Sequence, residues 1–251
     1  MNSSQALCDN WDQHWTDFSA AAEVGPTTRW RSKLILQHLG IDAASAAVRM
    51  LELGSGRGEF ARDFCTRYGE ARFLGVELSR AGVELASKLV PEAHFVQRDL
   101  LSDAPAGDQA NFGATHAICS EVLEHVDEPA RLVRNATAYM APGCRLVVTV
   151  PGGPFNAFYK HIGHRRHYAP AELQKLLEGC GFAVETCYGA GFPFFNLYRL
   201  MLTARGEKLI QDVSGPPSQI VRMGTAVFDA LFRLNFGRGG WQTVAVARYR
   251  P

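Results

Sequence analysis

An α/β fold is predicted for this chain of 251 residues: a seven-stranded, mostly parallel sheet with helices on both faces, an N-terminal helical cap and a helical insertion before the last strand. Three observations lead there. Strand and helix signals alternate from residue 46 to residue 150, an order that implies parallel strands joined by crossover helices. The first strand runs into the glycine-rich stretch Leu51-Glu52-Leu53-Gly54-Ser55-Gly56-Arg57-Gly58, which opens a helix. Beyond Pro151 the alternation breaks, and two further strands are separated by an aromatic segment.

Taken in order, residues 48–53 read as a buried strand, and Phe60, Phe64 and Tyr68 then recur every four residues along one helix face. Residues 72–77 and 80–89 give the second strand and helix, and 95–98 a third strand ending at Asp99. The short apolar run 116–119 is the fourth strand. Pro129 suits the first turn of a helix extending to Met140, which Pro142-Gly143 ends. Residues 144–150, nearly all apolar, form a fifth strand at the sheet centre. A helix over 170–178 stops at Gly179 and Gly181. Residues 182–188 and 242–247 are the last two strands, the latter alternating polar and β-branched residues. The chain divides into a cap (1–45), a core (46–188 with 241–251) and an insertion (189–240) that carries a helix over 220–234. In the cap, Trp11, Trp15 and Phe18 share one helical face, and Trp30, Leu34 and Leu39 line a later one.

Composition narrows the function. Apolar residues make up 47%, enough for a packed core, and the net charge of +1 points to no nucleic-acid partner. The six cysteines are scattered without a CxxC pair, as expected of reduced thiols in a cytoplasmic protein. Neither a signal peptide nor an apolar run long enough to span a bilayer is visible.

The chemistry starts at the glycine loop. Glu77 stands nineteen positions beyond Gly58, at the end of the second strand, where a carboxylate can accept hydrogen bonds from both hydroxyls of a ribose. Dinucleotide sites use G-x-G-x-x-G so that a pyrophosphate sits on the helix N-terminus. Here the pattern is G-x-G-x-G, with Glu59 in place of the third glycine. Glu52 and Glu59 bracket the loop with negative charge, which suits a cationic ligand such as a sulfonium with an α-amino group and repels a pyrophosphate.

These residues resemble the class I S-adenosylmethionine-dependent methyltransferases. Residues 51–58 look like that family's first motif, Phe73-Leu74-Gly75-Val76-Glu77-Leu78-Ser79 like its acidic second-strand motif, and Arg98-Asp99-Leu100 like its adenine-contacting segment. Cys119-Ser120-Glu121-Val122-Leu123-Glu124-His125-Val126 is similar to the fourth-strand motif of the subgroup that includes ubiquinone-biosynthesis methyltransferases. Met140-Ala141-Pro142-Gly143-Cys144-Arg145-Leu146 is similar to the turn into the fifth strand. The resemblance implies a Rossmann-like fold, S-adenosylmethionine as cofactor and S-adenosylhomocysteine as product. It implies that Glu52 with Gly54, Ser55, Gly56 and Gly58 holds the methionine end, and that Glu77 binds the ribose. It further implies that Leu78, Asp99 and Leu100 meet the adenine, and that Ser120 and Glu121 lie under the sulfonium.

Methyl transfer from a sulfonium needs orientation and exclusion of water, and a base only where the acceptor loses a proton. His161, His164 and His167, in a dense aromatic stretch after the fifth strand, are candidate bases or orienting groups. Arg165 and Arg166 can clamp a carboxylate or phosphate. Tyr159 and Tyr168 from the same stretch, Trp15 from the cap, and Phe194 and Tyr198 from the insertion are candidate substrate contacts. All of these groups equally suit capping of loop carbonyls and packing. The histidine spacing has no carboxylate nearby in sequence, so no metal is expected. The expected activity is methyl transfer to oxygen or nitrogen of a small or lipid-like acceptor. An NAD(P)-dependent oxidoreductase and a non-catalytic S-adenosylmethionine-binding regulatory subunit are the alternatives. The insertion suits a lid, a homodimer interface or peripheral membrane contact through its amphipathic helix.

Overall fold

Residues 11–12, 25–41, 48–102, 109, 111–205 and 219–251 are described by a computed structural model of the chain. The first strand, β1 (Arg49–Leu53), is buried along nearly its whole length and pairs in parallel with both β2 (Arg72–Glu77) and β4 (Ala114–Ser120). Outward from β2 lies β3 (His94–Gln97); outward from β4 lies β5 (Met140–Pro151). The C-terminal strand β7 (Gln242–Tyr249) inserts antiparallel between β5 and β6 (Phe182–Ala190). The sheet order is β3-β2-β1-β4-β5-β7-β6, so the direction of winding reverses between β1 and β4. The expected seven-stranded, mostly parallel sheet is observed.

Among the described residues eight helices flank it: α1 (Pro26–Leu39), α2 (Glu59–Arg67), α3 (Arg80–Leu89), α4 (Pro129–Ala136), α5 (Ala157–His161), α6 (Pro170–Glu178), α7 (Phe194–Arg205) and α8 (Gln219–Phe232). One core cluster joins Ile35 and Leu39 of α1 to Phe60 and Phe64 of α2 and to Phe73 and Phe95 under the sheet. The other runs from Leu51 and Val76 through Tyr139, Tyr168 and Leu173 on the opposite face.

Three local expectations are corrected. The helix after Pro129 ends at Ala136, followed by a single 3-10 turn, and β5 begins at Met140. Tyr139 is fully buried and Met140 already pairs with Ala114, so Pro142 and Gly143 form a corner inside the strand where the register shifts. Residues 242–247 are buried throughout although they alternate in polarity, because Gln242 and Thr243 find internal partners. Among its described residues the insertion holds two helices, since the apolar stretch behind Pro193 forms α7 as well. Trp30 of α1 packs on Phe195 and Phe232, which fastens the insertion to that helix. On α1 itself Ile35 and Leu39 face the core, whereas Trp30 and Leu34 are only partly covered. Trp15 and Phe18 lie outside the described residues.

Candidate functional site

A cavity of about 590 Å³ opens at the carboxyl ends of β1, β2 and β4, where the strand order reverses and α/β sheets bind ligands. Its floor is the loop after β1. The amides of Gly54 and Ser55 donate to the Val76 carbonyl at 2.8 and 3.3 Å, which folds the loop back over β2. Gly54 has φ +72°, and a Cβ there would stand 2.4 Å from Val122, so only glycine fits. The Gly56 amide donates to Glu77 Oε2 at 2.8 Å, and the Ser79 amide donates to Glu77 Oε1 at 2.9 Å. Both carboxylate oxygens keep lone pairs for a ligand, and the side chain lines the cavity. Burial raises the Glu77 pKa, against the pull of those amides.

Glu52 is the most informative group in the floor. It is buried, its Oε2 has no hydrogen-bond partner among the described residues, and burial with the nearby Glu59 and Glu77 charges pushes its pKa well above the ordinary range. A buried carboxylate in this state is costly alone and stabilised by a cation, so the donor set fits an ammonium or sulfonium ligand. The Ser55 hydroxyl is likewise buried without a hydrogen-bond partner among the described residues. At the other end, Asp99 accepts from the Leu101 amide at 2.8 Å and the Ser102 hydroxyl at 2.6 Å, while Asn135 Nδ2 donates to the Leu100 carbonyl at 2.8 Å. Leu78 presents an exposed apolar face to the cavity.

Glu52, Gly54, Ser55, Gly56, Glu77, Leu78, Asp99, Leu100, Ser120 and Glu121 all line this one cavity. Gly58 does not; with φ +84° it precedes α2, and a Cβ there would press on Ala86 of α3. Glu121 has φ +57°, a costly conformation for a residue with a side chain. It is held by Gln242 Nε2, which donates to its Oε1 at 2.9 Å, and by Arg31 at 3.5 Å from its Oε2.

The acceptor end departs from expectation. Arg165 lines the cavity, donating from Nε to the His125 carbonyl at 2.7 Å and pairing with Asp127. Arg166 contacts the Asp127 carbonyl on the surface, outside the lining. Tyr168 belongs to the core, and its hydroxyl donates to the Leu123 carbonyl at 3.1 Å. Tyr159, His164 and His167 pack against one another behind the cavity, with Tyr159 accepting from buried Arg199 Nε at 2.5 Å. Burial pushes the His164 pKa down to about 2 and that of His167 to about 4, so both are neutral imidazoles in a packed cluster. Phe194 and Tyr198 pack within the insertion: the Phe194 amide donates to Asn235, and Tyr198 packs edge-on against Phe228 and Phe232. Trp15 and the His161 side chain lie outside the described residues.

Sequence reasoning missed His125, Arg31 and Trp11 as lining residues. His125 is the one imidazole in the described lining. It was visible within the Glu121–Val126 motif, but nothing local shows which of its residues turns inward. Trp11 packs edge-on against His125, with ring centroids 4.9 Å apart. Its neighbour Asp12 accepts from the Ser79 hydroxyl at 2.5 Å and the Ala81 amide at 3.1 Å, so this short segment crosses from the β2 side to the β4 side. Ligand atoms of Glu124, His125 and His164 lie within 4.8 Å of one another. The fold thus brings a carboxylate from the β4 loop beside His164, which the spacing of the three histidines did not indicate. Glu124 is fully buried, neither oxygen has a hydrogen-bond partner among the described residues, and its pKa is raised well above the ordinary range by burial.

A family model for the methyltransferase domain matches residues 29–186. A ubiquinone biosynthesis O-methyltransferase of Chromobacterium violaceum is 23% identical over 218 residues, covering 77% of this chain and 87% of the relative. Among solved structures, Haemonchus contortus phosphoethanolamine N-methyltransferase 2 with S-adenosyl-L-methionine aligns over 100% of this chain and 60% of its own, with TM-score 0.66 and 15% identity. Geranyl diphosphate C-methyltransferase of Streptomyces coelicolor A3(2) aligns over 88% and 75%, with TM-score 0.60 and 18% identity. The nicotinamide alternative finds no support in these matches, and the chain belongs to the methyltransferase-domain family as an S-adenosylmethionine-dependent enzyme.

Proposed function

We propose that this methyltransferase acts in the cytoplasm on an oxygen or nitrogen of a small or lipid-like organic acceptor that lies against His125, Arg31 and Trp11. The observation that carries this reading is one continuous cavity with a buried, cation-seeking Glu52 at one end and an imidazole at the other. Bound S-adenosylmethionine supplies an activated methyl carbon. Glu52 and the Gly54–Gly56 backbone would hold its amino and carboxylate groups, Glu77 its ribose, Leu78, Asp99 and Leu100 its adenine, and Ser120 and Glu121 would serve its sulfonium end. Trp11 covers the mouth against water. Where the acceptor is a hydroxyl, His125 takes its proton as the oxygen gains the methyl group. The names borne by relatives support a small-molecule acceptor.

Labelled S-adenosylmethionine and native extract, partitioned into organic, aqueous and macromolecular fractions, test this reading. Enzyme-dependent label in the organic or small aqueous fraction is expected; label confined to macromolecules would overturn it. His125→Asn should lower kcat for a hydroxyl acceptor by about 10²–10⁴ with cofactor affinity unchanged. A second reading is favoured by Glu124, His125 and His164, which can hold a divalent cation beside the acceptor and lower the pKa of its hydroxyl directly. Loss of activity in EDTA with recovery on a single added divalent ion separates it from the imidazole-base reading.

A further inference from the structure

Helix α1 turns one face to the cavity. Thr28, Arg31, Ser32 and Ile35 follow one another at i, i+3, i+4 and i+7, and all four line it. The Ser32 hydroxyl is committed to Asp63, to which it donates at 2.7 Å. The Arg31 guanidinium makes no hydrogen bond among the described residues; its partner there is Glu121 Oε2, 3.5 Å from Nη1, and its side chain is only 17% exposed. A planar fork of N–H donors, largely out of water and answered by one loose ion pair, costs free energy unless a ligand uses it. Arg165, which the sequence suggested as an anion clamp, spends its guanidinium on the His125 carbonyl and Asp127.

On the function proposed above, Glu121 serves the sulfonium end of the cofactor, so a cation answers Glu121 and the Arg31 charge is left for a second ligand. Resting on that reading, we infer that the acceptor carries a carboxylate and that Arg31 anchors it. Charge selects the group. One guanidinium beside Glu121 suits a single negative charge on a planar group gripped by two parallel N–H bonds. A phosphate ester would set nearly two charges against Glu121. A carboxylate gripped in this way has its lone pairs occupied, so it anchors the acceptor while another atom takes the methyl group. Ile35, one turn along α1, lines the cavity together with Trp11 and Val122, which gives the rest of the acceptor an apolar wall. The acceptor class is therefore an organic acid with an apolar body and a separate hydroxyl or amino group.

The test uses the full chain in the labelled extract assay, with the small-molecule products passed over an anion exchanger. Labelled product retained at neutral pH and released at about pH 2, where a carboxylate is protonated and a phosphate ester keeps a charge, is expected. Small-molecule label that runs through at neutral pH, or stays bound in acid, overturns the carboxylate assignment and leaves methyl transfer to a small acceptor standing. Label confined to macromolecules overturns both. With the anionic fraction of the extract as acceptor, Arg31→Gln should raise acceptor KM at least about tenfold. Arg31→Lys, which keeps the charge and loses the fork, should raise it less. Gln242→Leu loosens Glu121 from its other side and is the control. If Arg31→Gln raises acceptor KM no more than Gln242→Leu does, with melting temperatures unchanged, Arg31 acts only through Glu121 and the anchor is lost.

Discussion

The two ends of the cavity are built differently. The cofactor end is local: the Gly54 amide donates to the Val76 carbonyl and the Gly56 amide to the Glu77 carboxylate on the neighbouring strand, and Asp99 caps its own loop. The acceptor end is assembled from distant segments: Arg31 meets Glu121, Glu121 meets Gln242, Trp11 meets His125, and Arg165 reaches back to Asp127. A local site writes its geometry into spacing and glycine placement, whereas a site made by long-range contacts leaves only residue types in the sequence. The first kind is therefore legible before a structure exists, and the second is not.

Breaking the cofactor end should give the largest effects. Gly54→Ala combines positive φ with a Cβ 2.4 Å from Val122, and should cost about 2–4 kcal/mol of stability and abolish measurable cofactor binding. Thermal melts with calorimetric titration check this. Glu77→Ala removes the acceptor of the Gly56 and Ser79 amides together with the ribose ligand, so affinity should fall at least about tenfold, about 1.4 kcal/mol. Unchanged affinity in a folded variant would remove Glu77 from the ribose assignment.

Glu52 sharpens the comparison through pH. Its pKa is raised in the ligand-free protein, so the folded state holds its proton more tightly than the unfolded chain does. Its contribution to stability therefore declines as pH rises above the ordinary glutamate range. A bound cation reverses the preference, so cofactor affinity should rise with pH and binding should release a proton. Glu52→Gln should flatten that dependence, weaken binding and stabilise the ligand-free protein at neutral pH. Titrations in buffers of different ionisation enthalpy count the protons, and an unchanged pH slope in Glu52→Gln would contradict the role.

At the acceptor end the effects should be smaller. Gln242→Leu leaves Glu121 in its strained backbone with one fewer partner, and should weaken cofactor affinity and raise acceptor KM, each several-fold. The sequence shows Gln242 only as a polar residue of an alternating strand; the partner that satisfies it in the interior lies 121 positions away. Legibility failed in the same way for the histidine-rich stretch. The density of titratable groups in 159–168 suggested a site, yet packing turns most of the described ones inward as neutral or hydrogen-bonded groups.

Tyr168 gives the smallest and most diagnostic effect. Its ring lies in the main core cluster and its hydroxyl donates to the Leu123 carbonyl, which also accepts from the Val126 amide at 3.4 Å. Tyr168→Phe keeps the ring and removes one bond from a carbonyl with a second donor, so the cost should be about 1 kcal/mol of stability. Neither acceptor KM nor cofactor affinity should move. If KM rose while the melting temperature stayed fixed, the hydroxyl would be a substrate contact after all, and the boundary drawn between packed cluster and cavity wall would have to shift to include it.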